Sequence, residues 1–175
     1  MTRLLAASLV LALCFLPTTA SGTPQDTSAL QFRGFRAGAR LPELDARLRQ
    51  QGGRLRCDRA KRDPQVSECR GTVRDSASGP MHVWVSAMDS AAGVITLSAA
   101  LDSSALGGWR SELERRYGRV AVRTQGGQSM LQWVRRGRML RLTWRTERGE
   151  LTASVSLVDG RVLDAWGADR AGGSS

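Results

Sequence analysis

Eight short runs of this 175-residue sequence alternate apolar and polar residues, and they fall into two groups of four, each behind one helical stretch. Period-two alternation marks a strand with one buried and one wet face, so the chain has to build antiparallel sheet covered on one side. Leu41, Leu44 and Leu48 recur at helical spacing, Pro42 suits a first turn, and Gly52-Gly53 closes that helix. Strand runs follow at 54–57, 66–74, 81–88 and 93–101, joined by turn-forming residues at 75–80 and 89–92. The cycle restarts at 104–117, where Leu106, Trp109 and Leu113 share a helical face and Gly118 ends it. The second four runs are 119–124, 130–135, 139–146 and 151–158, with Arg136-Gly137 and Arg148-Gly149 as hairpin signals. Val162, Leu163 and Trp166 then make a short closing segment.

The expected fold is therefore α+β: two tandem repeats, each a helix packed on a four-stranded antiparallel sheet, preceded by a signal peptide. The expected divisions are a signal peptide at 1–22, a flexible leader at 23–31, a first repeat at 32–102, a second at 103–166 and a disordered tail at 167–175. Either half alone has too little interior to be stable, so the two are expected to share one structure.

Residues 1–22 carry the three parts of a secretory signal: Arg3, an apolar run over 4–16, and small residues Thr18, Ala20 and Gly22 behind Pro17. The apolar run is shorter than the roughly 20 residues a membrane helix needs. A lipid anchor on Cys14 would need a smaller residue than Leu13 before it. The mature chain is thus expected in the periplasm or outside the cell, without a membrane span. Loss of Cys14 with the leader leaves Cys57 and Cys69, an even pair in an oxidising compartment, and these are expected to form a disulfide.

Strand parity sorts the side chains. Met81, Val83, Val85 and Ala87, then Ile95, Leu97, Ala99 and Leu101, point to a core, as do Leu140, Leu142, Trp144 and Leu151, Ala153, Val155, Leu157. The opposite face carries His82, Trp84, Ser86, Arg141 and Arg145. Of the five tryptophans, parity leaves Trp84 pointing outward, where an aromatic side chain suits an interface anchor.

Composition narrows the function. The formal net charge is +10, and Lys61 is the single lysine, so the excess is arginine. Arginine clusters at 54/56/59/62, 115/116/119 and 135/136/138/141/145 fit an acidic protein surface or phosphate-bearing polymers and lipids. One histidine and three cysteines do not make a zinc site of ordinary spacing, so no metal and no cofactor is expected. His82 lacks a motif that would supply a nucleophile and an orienting acid, so the chain is not expected to be an enzyme.

The sequence Cys57-x11-Cys69-Arg70-Gly71, together with Phe32-x-x-Phe35-x-x-Gly38 leading into a helix, resembles the first repeat of the bacterial β-lactamase inhibitory proteins. That resemblance implies tandem helix-plus-sheet repeats and a sheet face that binds a partner enzyme, with a hairpin aspartate entering the partner's active site. By position, Asp75 matches that aspartate and Trp84 lies on the strand after it. Tyr117, the one tyrosine, lies in the second helix, so the tyrosine-rich strand of that family is missing. The expected function is non-catalytic binding of an acidic protein partner, such as an enzyme it inhibits, through an open sheet face with Trp84, His82, Asp75, Arg141 and Arg145. The alternative is binding of anionic polymer or lipid head groups.

Overall fold

In the computed structural model residues 29–76 and 78–172 are described, with side chains as far as residue 168. The expected signal peptide, the leader through residue 28 and the last three residues lie outside the described residues. Residues 29–31, expected in a polar leader, are buried, and Gln31 begins strand β1 (Gln31–Phe32), paired with β2 (Phe35–Arg36). Helix α1 (Leu41–Gln50) follows with Pro42 in its first turn and Leu44 and Leu48 buried. Then come β3 (Arg56–Ala60), β4 (Asp63–Asp75), β5 (Gly79–Met88) and β6 (Ala91–Leu101). Helix α2 (Ser103–Tyr117) starts on Asp102, whose carboxylate accepts the Ala105 N–H at 2.7 Å, a side-chain N-cap. Strands β7 (Arg123–Gln125), β8 (Gln128–Arg135), β9 (Arg138–Glu147) and β10 (Glu150–Asp159) complete the sheet, and helix α3 (Gly160–Gly172) stands where a short closer and tail were expected.

The expected α+β architecture of two repeats, each a helix on its own four-stranded sheet, is corrected by the pairing. The protein is mainly β. All eight strands from β3 to β10 form one antiparallel sheet in the order β3-β4-β5-β6-β10-β9-β8-β7, beside the small β1–β2 ribbon. The physical reason lies at β6 and β10. Each would be the bare edge of a separate sheet, with unpaired backbone groups along ten or eleven residues. Pairing them in register from Val94↔Val158 to Leu101↔Leu151 satisfies those groups and merges the two apolar faces. One cluster of buried residues results, drawn from α1, α2, the β1–β2 ribbon and the central strands.

The two-residue turns follow local chemistry. Arg136-Gly137, Arg148-Gly149 and Gly126-Gly127 all have positive φ at both positions, the type I′ geometry that matches strand twist. Asp89-Ser90 does the same without glycine, at φ 47° and 65°. Gly71 answers a packing need: a Cβ there would strike Leu48 Cδ2 and stand 2.7 Å from the Arg54 carbonyl oxygen, so α1 sits down on β4 because that position has no side chain.

Cys57 and Cys69 form a disulfide and are directly opposed in the β3–β4 register. With a sequence separation of 12, the chain-entropy relation gives about 3 kcal/mol. Reduction should lower the urea-unfolding free energy by about that amount, and an unchanged midpoint would show that the bridge leaves the unfolded chain unconstrained. Among the described residues, no helix is long and apolar enough to cross a membrane.

Candidate functional site

The sheet face turned away from the helices is built by register. One cross-strand row runs Arg56, Arg70, Trp84, Thr96, Ser156, Arg141, Gln132 from β3 to β8. The next row runs Thr72, His82, Ser98, Ser154, Thr143, Met130. Small hydroxyls thus occupy the middle of the face. They bond across strands, Thr143 Oγ1 to Ser154 Oγ at 2.8 Å and Thr96 Oγ1 to Ser156 Oγ at 3.2 Å, which ties β9 and β6 to β10 along this strip.

On the β3–β5 side the small centre leaves a shallow hollow of about 520 Å³, lined by Arg54, Arg56, Arg70, His82, Trp84 and the Thr96–Ser98 strip. Trp84 is half-buried and His82 exposed, its Nδ1 3.5 Å from Thr72 Oγ1. Arg70 has Glu68 at 3.6 Å with most of its side chain in solvent, a pair that neutralises little. Among the described residues, neither Arg54 nor Arg56 has a carboxylate within ion-pair distance. Guanidinium groups lining one hollow with an aromatic ring and hydroxyl donors have the chemistry to receive a carboxylate or phosphate.

The expected site residues divide. Trp84 and His82 fall together in the hollow. Arg141 shares their face and lies in Trp84's row, but three strand spacings away, about 14 Å. Its Nε and Nη2 both donate to Gln132 Oε1, at 3.0 and 2.8 Å, which fixes the guanidinium along the sheet. Arg145 is exposed beyond it and pairs with Glu147 at 3.3 Å. Asp75 lies apart from the other four. It ends β4 at the parity of Val73 and Cys69, so it faces the helix side, where it pairs with Arg33 at 3.5 Å and accepts the Ser78 N–H at 3.0 Å. Arg33 in turn lies 3.5 Å from Glu112 on α2, so Asp75 helps tie the hairpin to the helix layer.

Sequence reading missed Arg70 as a site residue. Its strand parity was visible, but its place between Arg56 and Trp84 depends on two pairing registers that no single strand reveals. Trp109 on α2 and Trp133 on β8 are buried, Trp133 donating Nε1–H to the Gly118 carbonyl at 2.7 Å, and Trp144 on β9 is half-buried beneath the Arg110 guanidinium. Among the described residues no group of three or more His, Cys, Asp or Glu side chains is placed to hold a metal ion. Compared with protein-family models, curated proteins and solved structures, the chain matches none.

Proposed function

We propose that this chain is an exported, non-catalytic binding module that engages an acidic protein partner on its open sheet face. The observation that carries it is the hollow in which Arg54, Arg56, Arg70 and His82 surround Trp84 without a full complement of carboxylates. Trp84 serves as the anchor, desolvated against the partner, while Arg56, Arg70, Arg141 and Arg145 steer an acidic surface and set its register. The hydroxyl strip supplies short, low-entropy hydrogen bonds between these two centres. The face is braced by a continuous sheet, so binding needs little reordering. The disulfide agrees with an oxidising compartment, the periplasm or the outside of the cell. The resemblance to inhibitory proteins supports the same face as the contact surface, without the aspartate role, since Asp75 is engaged by Arg33.

The test is calorimetric titration with poly-glutamate and, in parallel, with heparin. Poly-glutamate binding should weaken at least tenfold in Trp84→Ala and more in Arg70→Glu, with circular dichroism unchanged. Tight heparin binding with a steep salt slope, and none to poly-glutamate, would favour the anionic-polymer alternative.

A further inference from the structure

An eight-stranded open sheet has two edges, here β3 and β7. Each presents backbone N–H and C=O groups that can pair with another chain. β7 is only three residues long. β3 has five residues, almost all exposed, and no proline among them.

Register identifies the free groups of β3. Cys57 and Cys69 are direct partners with Cα atoms 3.9 Å apart, the close spacing of a non-hydrogen-bonded pair. The N–H and C=O of Cys57 therefore point away from β4, and so does the N–H of Arg59, the last residue before the register shifts at Ala60. Leu55 has the same parity, and its N–H is taken by Asp45 Oδ1 of α1 at 3.0 Å. Helix α1 thus closes the edge at Leu55 and leaves it open from Cys57. Among the described residues, none bonds to the outward groups of Cys57 or Arg59.

Charge decides what fits there. Arg54, Arg56, Arg59, Lys61 and Arg62 outnumber Asp58, Asp63 and Glu68 along this edge and its hairpin, five charges to three. A second copy would set like charges opposite one another, which charged edges are built to prevent. An acidic strand meets the opposite condition. The disulfide bonds β3 to its neighbour covalently, so the edge is held ready for pairing.

We infer that β3 is a strand-addition site: an extended acidic segment of a partner protein pairs with the backbone of Cys57 and Arg59, its carboxylates opposite Arg56 and Arg59, three residues apart. This rests on the proposed function for the sign of the partner's charge, but on a different surface. Its hydrogen bonds give the segment orientation, and its alternate side chains reach toward the hollow beside Arg56 and Arg70.

The test is amide hydrogen exchange on the disulfide-intact chain with a synthetic heptapeptide of sequence Thr-Glu-Val-Thr-Glu-Val-Thr, blocked at both ends. The Cys57 and Arg59 amides should slow at least tenfold at saturation. Backbone N-methylation of the peptide, or Arg59→Glu in the protein, should weaken binding at least tenfold, and a lysine-for-glutamate peptide should not bind. Protection at these amides with an unmoved Trp84 indole signal supports the edge as a site distinct from the open face. Binding without protection of Cys57 and Arg59 overturns the edge and leaves the open face standing. No binding of the peptide overturns both. Protection that instead appears with protein concentration alone, alongside dimer in sedimentation, overturns the acidic segment in favour of a second copy.

Discussion

Asp159→Asn is expected to lower the stability of this protein by about 3 kcal/mol at neutral pH, the order seen when one member of a buried ion pair is removed. The Asp159 side chain is 1% exposed at the end of β10. Its Oδ2 accepts Arg138 Nε at 2.8 Å, and Oδ1 accepts the Arg161 backbone N–H at 3.1 Å, so one carboxylate joins β9, β10 and the first turn of α3. Gly38, at φ 78°, lies against Oδ2, where any side chain would strike it. The two arginines are unequal. Arg161 is 66% exposed, so solvent screens its pair, whereas Arg138 is 20% exposed and carries most of the effect. An asparagine keeps the shape but leaves Arg138 without its counter-charge.

The same carboxylate makes a pH signature. Burial alone pushes Asp159 up, and the hydrogen bonds and charges of Arg138 and Arg161 outweigh it, holding the group below the ordinary aspartate value. A lowered folded pKa contributes stability that is complete above the unfolded value of about 3.9 and is lost as pH falls through the folded value. Urea unfolding of the parent and Asp159→Asn should therefore converge as pH falls below the ordinary aspartate value of about 3.9. A gap that widens in acid would mean that the carboxylate is not held ionised by its arginines.

Trp109→Ala is expected to cost about 4 kcal/mol, the range for truncating a buried tryptophan. Trp109 is 1% exposed on α2, and its ring meets Phe32 edge-on, with centroids 4.9 Å apart and planes at 64°. It joins the helix layer to the β1–β2 ribbon, so its loss opens a cavity lined by two elements that cannot collapse together. The indole Nε1 is buried without a hydrogen-bond partner among the described residues. Trp109→Phe therefore sacrifices volume but no hydrogen bond and should cost about 1 kcal/mol in the same unfolding assay. Equal losses in the two variants would mean that the ring's size contributes nothing.

Much of this structure was legible one strand at a time. Leu140 and Leu142, or Ile95 and Leu97, announce their burial by alternation, and Arg136-Gly137 announces a turn through its backbone preference. Both signals are local. What was illegible lies between strands distant in sequence. Nothing within β6 states that its partner is β10, so two small sheets were expected where one large one forms. The site suffered similarly. Parity placed Trp84 and His82 outward, but Arg70 joins them only through registers set by β3–β4 and β4–β5 pairing. Asp75 was assigned to a loop, and one further residue of strand carries it to the helix side. Asp159 drew no attention as a lone acid, although its parity with Leu157 already set it inward.

The seam between β6 and β10 also governs how the chain assembles. Leu101 must find Leu151, and Val94 must find Val158, after α2 and three strands have been laid down between them. Loop closure of that span is an entropic barrier met before the contacts that reward it, which places the slow step of folding in the middle of the sheet. During synthesis β6 emerges long before β10 and waits with an unsatisfied side. A β10 from a neighbouring molecule offers the same register, so the seam is also where two nascent chains would exchange strands.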